Sequence, residues 1–279
     1  MCKFCTQHGD GKKWYLRAEN YSADLRSDLH RRRMMLGFVD DFGRTTSRGF
    51  AGLEVLKRLP GPLRRMICSV AERRQQAEHY GQPVPIEDCA LILDIATSIV
   101  LLPCICREHS GGPERACCLA ISVGPPDDEL TGMMIRTLAG PDTDGLQRLS
   151  KEEALALMRQ WEHEGLLHSV WTFVTPFIGA ICNCSDPSGC LAMRAIRRYD
   201  FRMMWRGEYV ATVDPDLCVG CGKCVRLCPF EAIEMGRADS KAQVRWERCY
   251  GCGICRAECP TQGITLSPRA GHPETADLW

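Results

Sequence analysis

The 279-residue chain lacks any excess of one charge: 35 basic side chains balance 35 acidic ones. That balance excludes a generic polyanion binder, so no nucleic-acid partner is expected. Long apolar runs are missing as well. The longest, Leu91 to Leu102, is interrupted by Asp94 and closed by Pro103, which is too short for a membrane span and reads as a buried helix. No apolar stretch follows Met1, and the Arg31-Arg32-Arg33 run meets Asp40 and Asp41 before a hydrophobic region can form. Neither a secretory nor a twin-arginine signal is read, and a cytoplasmic location is expected. Several catalytic signatures are absent too: a GxGxxG after a strand, a P-loop GxxxxGK[ST], an HExxH, and the CxxxCxxC of radical S-adenosylmethionine chemistry. The Asp127-Asp128-Glu129 run reads as a solvated loop after two prolines, and no paired carboxylates stand at a catalytic spacing.

The chain does contain 45% apolar and 25% charged residues, a globular composition, and its length suggests about two domains. Its 19 cysteines are exceptional. They are odd in number, and most sit in tight clusters, which suits metal ligation better than a disulfide framework. Ligation requires thiolates, hence a reducing compartment.

The sequence divides into a helical, basic segment at 1–82, a cysteine-rich middle at 83–210, and a small C-terminal domain at 211–279. Residues 1–80 carry 16 basic and 9 acidic groups, against 11 and 17 in 81–210 and 8 and 9 in 211–279. The first excess fits a solvated helical surface or a dock for an acidic partner. Helices are expected over Asn20–Met35, Gly52–Leu59 and Leu63–Tyr80. Another is expected over Ile86–Leu101, leading the chain into Cys104-Ile105-Cys106-Arg107. Ser150-Lys151-Glu152-Glu153 is a capping box that starts a further helix, with Gly165 as its stop. Leu166 to Ile181 is rich in β-branched and aromatic residues and leads to Cys182-Asn183-Cys184. The expected class is α+β, with a mainly helical N-terminal and middle region.

The last segment contains an internal repeat. Cys218-x2-Cys221-x2-Cys224-x3-Cys228-Pro229 recurs as Cys249-x2-Cys252-x2-Cys255-x3-Cys259-Pro260, offset by 31 residues. This resembles the bacterial two-cluster ferredoxin domain. The resemblance implies a pseudo-twofold fold and cross-ligation: Cys218, Cys221, Cys224 and Cys259 for one [4Fe-4S] cluster, and Cys249, Cys252, Cys255 and Cys228 for the other. Glycines between the ligands, among them Gly220 and Gly251, permit unusual backbone angles or let N–H groups approach sulfur, and both effects can apply to one residue.

Nine more clustered cysteines remain outside the tail. Pro103-Cys104-Ile105-Cys106-Arg107, Cys118-Leu119 and Ile181-Cys182-Asn183-Cys184 resemble a CxCR/CNC module that larger anaerobe ferredoxin-like proteins join to such a tail. A third iron–sulfur cluster is therefore expected, with a structural zinc or free redox-active thiols as alternatives. Cys104, Cys106, Cys182 and Cys184 are the chosen ligands, with Cys118 and Cys190 as substitutes. Cys2-x2-Cys5-x2-His8 is a candidate for a fourth cluster. Cys68 and Cys89 fall in helical apolar patterns and read as packing residues, and His168 reads as a packed, hydrogen-bonded histidine.

The expected function is electron transfer by a polyferredoxin-like component of a hetero-oligomeric complex, working with a larger redox enzyme or carrier. A catalytic open-site cluster in the middle domain and a redox-responsive interaction protein are the alternatives.

Overall fold

Two side-chain caps divide the first helical stretch. Ser22 Oγ accepts from the Leu25 N–H and the Asp28 carboxylate from the Arg31 N–H, so α1 (Ala23–Ser27) and α2 (Leu29–Asp40) form where one helix was expected. The computed structural model describes residues 13–110, 116–124, 132, 147–184 and 189–278. Cys2, Cys5, His8 and the Asp127-Asp128-Glu129 run lie outside them. α3 (Phe42–Leu56) and α4 (Gly61–Glu78) complete the helical segment.

The middle region is built on a sheet, which corrects the expectation of a mainly helical one. The Ile86–Leu101 run splits: α5 (Ile86–Ile95) stops at Ala96, whose backbone is extended, and Ile99–Pro103 becomes strand β2. The β-branched Ile99 and Val100 begin a segment that pairs on both edges, and ladder hydrogen bonding outweighs helix propensity there. Six antiparallel strands run in the order β1 (Gly81–Pro83), β5 (His168–Thr172), β6 (Ile178–Asn183), β3 (Ala116–Ile121), β2 and β4 (Gln147–Arg148). β1 spans residues 82 and 83, so the sheet begins inside the N-terminal segment.

One face of the sheet packs Leu119, Ile121, Val170 and Ile181 against Ile92 of α5 and against Met158 and Trp161 of α7 (Lys151–His163). Trp14, Tyr15 and Tyr21 enter this same core. α7 begins at the Ser150–Glu153 capping box. The other face sets Val100, Leu102, Ala120 and Phe177 against Met35 of α2. A buried carboxylate joins three parts of the chain: Asp88 of α5 accepts from Tyr15 Oη at 2.6 Å, Lys13 Nζ at 3.0 Å and Tyr209 Oη at 3.0 Å.

The tail carries a crosswise internal symmetry. β7 (Tyr209–Val213), before the first cysteine motif, pairs with β10 (Ile264–Pro268), after the second. β8 (Ile233–Met235) pairs with β9 (Ala242–Val244) in between. Each half exchanges strands with the other, so neither encloses its cysteines alone. Among the described residues, no helix is long and apolar enough to cross a membrane.

Candidate iron–sulfur sites

The tail cysteines gather in two groups of four. Cys218, Cys221, Cys224 and Cys259 line one cavity of about 360 Å³, counting the space that opens to solvent, together with Val213, Val219, Ala242 and Ile264. Cys228 leaves its own motif and lies with Cys249, Cys252 and Cys255. Burial pushes the Cys228, Cys252 and Cys255 thiols up, and the neighbouring sulfurs add to it. The exchange has a simple mechanical origin. Helices α9 (Lys223–Leu227) and α10 (Ile254–Ala257) each hold one inner ligand, Cys224 or Cys255, and carry the chain toward the opposite group before the fourth cysteine.

Backbone donors meet the sulfurs with the same crosswise symmetry. The Ala242 N–H reaches Cys218 Sγ at 3.4 Å and the Ala211 N–H reaches Cys249 Sγ at 3.5 Å, while the Ala232 N–H reaches Cys228 Sγ at 3.3 Å. These bonds favour thiolate, and in a metal–thiolate group they tune its potential. At Cys259 burial raises the thiol, but the Thr261 hydroxyl and three backbone N–H groups outweigh it and the net shift is downward. Gly220 and Gly251 take φ of +72° and +70°, and a Cβ would stand 2.7 Å from Ser240 O or 2.2 Å from Tyr209 O. The left-handed turn is present at both glycines, and a close backbone approach to a carbonyl oxygen accompanies it. The two groups differ in exposure. Cys221 is exposed beside Val219, whereas Cys249, Cys252 and Cys255 are buried.

In the middle region the two CxC hooks do converge, and three further cysteines join them. Cys104 and Cys106 lie at the turn from β2 into α6 (Ile105–Ser110). Cys118 of β3 stands directly across from Cys182 of β6, Cys184 follows that strand, and Cys190 caps α8 (Leu191–Tyr199). Cys104 is in hydrogen-bond contact with Cys106, Cys117 and Cys118, and these partners hold its thiol far below the usual range. Cys118 contacts Cys182, and Cys184 contacts Cys190. Cys182 is pushed up to about 11: its bond to Cys118 lowers it, but burial and the fields of Cys106, Cys104 and Cys190 prevail. No disulfide forms among the described cysteines.

Cys117 is not among the ligands expected from sequence, and regular alternation along β3 would point it to the face opposite Cys118. Here the β2–β3 pairing runs Leu102↔Cys118 and then Pro103↔Ala116, so Cys117 is the extra residue of a bulge. The bulge re-aims it. Its sulfur, with those of Cys104 and Cys118, falls in a group whose members lie within 4.8 Å of one another. The signal for it in the sequence is the Cys117-Cys118 doublet itself.

Two further side chains shape this site. Arg107, buried, directs a guanidinium nitrogen to Cys184 Sγ at 3.6 Å, and its charge favours thiolate there. Asn183 donates to the Cys117 carbonyl at 2.9 Å and is held by His168 Nδ1 at 2.7 Å. Burial lowers His168 to about 4, so the ring is neutral and positions the middle residue of the CNC hook. Cys68 and Cys89 are buried in α4 and α5.

The donor sets fit the iron–sulfur groups that the motif implies: four converging sulfurs per tail site, backbone N–H groups aimed at them, and in the exposed site an open cavity between them. Residues 211–266 match the family of 4Fe-4S dicluster domains. A 31-residue stretch is 61% identical to an iron-sulfur subunit of the CoB--CoM heterodisulfide reductase of Methanopyrus kandleri. That match covers 11% of this chain and 5% of the relative. The C-terminal part of this protein is an iron–sulfur domain of the 4Fe-4S dicluster type, suited to electron transfer.

Proposed function

We propose that the chain is a polyferredoxin-like electron relay that serves a larger oxidoreductase in an anaerobic cytosol. Cys218, Cys221, Cys224 and Cys259 hold one [4Fe-4S] group, Cys249, Cys252, Cys255 and Cys228 the second, and the middle cysteines a third. Each bound group supplies one-electron transfer. The protein's own contribution is to hold, insulate and order the sites.

The arrangement of one apolar block carries this reading. Cys184 and Cys190 of the middle site share it with Cys252 and Cys228 of the enclosed tail site. Leu167, Trp171 and Met193 fill the space, and Phe230 stacks on Tyr250 at 3.9 Å, each ring lying one or two residues from a tail ligand. The side chains at the centre of this block are buried. The tail site containing Cys221 lies outside this block and opens to solvent, so it is the face for a redox partner. The likeness to a heterodisulfide reductase component, short as the matched stretch is, agrees with service in a multi-component enzyme.

Anaerobically purified chain should take electrons from a low-potential reductant and deliver them to an artificial acceptor, yet convert no metabolite alone. Full turnover of a metabolite by the fully metallated chain, at the rate of a native complex, would overturn the relay. It would favour an open-site catalytic centre in the middle region.

A further inference from the structure

We infer that Cys104, Cys106, Cys117, Cys118, Cys182, Cys184 and Cys190 form the ligand set of one iron–sulfur centre larger than a single [4Fe-4S] cubane, with Cys104 as its shared sulfur. This rests on the reading that the middle region binds iron, and it goes beyond that reading in the size of the centre and in its ligands.

The count is the first argument. A cubane takes four thiolates, and seven sulfurs here are linked by contact or by one another's fields. Cys104 touches Cys106, Cys117 and Cys118, and Cys118 touches Cys182. Cys106 lies in the field of Cys190, and Cys190 touches Cys184. A cubane on the two hooks alone would leave Cys117 and Cys118 beside Cys104 and Cys190 beside Cys184, three sulfurs next to its ligands and unused. Seven donors are one fewer than two separate cubanes need, and they match two that share one thiolate.

Position is the second argument. Cys104 is the hub, with three sulfur neighbours, and it receives the Arg107 backbone N–H as well. A bridging thiolate needs such a place. The third argument is the set of donors around the group. The first turn of α8 directs the Leu191 N–H to Cys106 and the Met193 N–H to Cys190. Arg107 reaches Cys184. A patch of cysteines used only as small apolar residues would need none of these, whereas a polynuclear thiolate centre uses all of them. The fourth is the bulge, which turns Cys117 toward Cys104 and Cys118 and away from the alternation of its strand.

The test is iron, zinc and acid-labile sulfide per chain in full-length, anaerobically reconstituted protein, together with Mössbauer spectra. We expect about 16 irons with matching sulfide, against about 12 for one additional cubane and about 8 for the tail alone. Cys117→Ser and Cys190→Ser should each lower the iron count and alter the middle-site spectrum, while unchanged tail EPR signals report that the chain is folded. The double variant Cys2→Ala/Cys5→Ala should leave the count at about 16. About 12 irons, unaffected by Cys117→Ser and Cys190→Ser, would overturn the larger centre and leave the third cluster standing. About 16 that fell to about 12 in the Cys2/Cys5 variant would overturn it as well, in favour of an N-terminal cluster. About 8 irons, or zinc in the middle site, would sink the third cluster and this inference together.

Discussion

The tail and the middle region both gather cysteines, but by opposite routes. In the tail, three ligands of each group come from one short loop and the first turn of the helix it enters, at a fixed spacing, and only the fourth arrives from elsewhere. In the middle region no loop supplies more than two. β3, β6, the turn after β2 and the start of α8 each deliver one or two sulfurs, and strand register decides which of them meet. A loop-borne site is written into local sequence; a sheet-borne site depends on pairing between segments far apart in the chain.

The largest expected effects come from testing that contrast at the ligands. Cys228→Ala should abolish the EPR signal of the enclosed group, and Cys259→Ala that of the exposed one. Each should lose about 4 irons. Assignment of each fourth cysteine to its own local motif by cluster-resolved EPR would contradict the exchange.

The seam between the regions is the next place to probe. Asp88→Ala leaves the buried Tyr15 hydroxyl and the half-buried Tyr209 hydroxyl without their carboxylate acceptor and removes the ion pair with Lys13. A loss of roughly 2–4 kcal/mol in urea unfolding is expected, from the two hydroxyls left without an acceptor. A loss below about 1 kcal/mol would show that the seam does not couple the N-terminal strap, α5 and the tail.

Within the tail, Gly251 and Gly222 should separate backbone strain from close approach. Gly251→Ala drives a Cβ to 2.2 Å from Tyr209 O at a φ of +70°, and about 3 kcal/mol or more should be lost. Gly222→Ala meets nothing closer than an Arg226 side-chain nitrogen at 3.5 Å, so the φ of +67° alone should cost about 1 kcal/mol. Equal losses in thermal unfolding would refute the role given to the Tyr209 contact.

The last effect concerns acid and shows only below neutral pH. His79 packs against Phe38, Phe173 and Trp171, and burial lowers it to about 4. The unfolded chain takes up this proton near the ordinary histidine value of about 6.5, the folded chain only near 4. Stability from a neutral His79 is therefore complete above about 6.5 and is lost as pH falls toward 4. At pH 5 the loss should be about 2 kcal/mol. His79→Gln should flatten the fall in urea midpoint between about pH 7 and pH 5; parallel curves would exclude His79 as its source.

Much of the helical layout was legible. The Ser150–Glu153 capping box marked the start of α7, and the α4 region was placed within a few residues. Caps and apolar period are local signals, and nearby contacts suffice to enforce them. The Ile86–Leu101 run misled because its closing apolar stretch, Ile99 to Leu101, has no period that separates helix from strand, and it became a strand only on meeting β3 and β4. The expectation of a mainly helical middle failed for the same reason. The nearness of Cys184 and Cys190 to Cys228 and Cys252 was not legible either, since Leu167, Met193, Phe230 and Tyr250 come from separate segments.

The sequence by itself determined the tail: eight cysteines at doubled spacing, closed by prolines, are enough to specify two thiolate groups, because a loop of that length has few ways to present three sulfurs together. Only the tertiary structure decided the middle site. A one-residue bulge in β3 brings Cys117 to Cys104 and Cys118, and the β3–β6 register sets Cys118 opposite Cys182. Shifting either pairing by one residue would turn those sulfurs to the other face, and no local stretch of sequence carries that information.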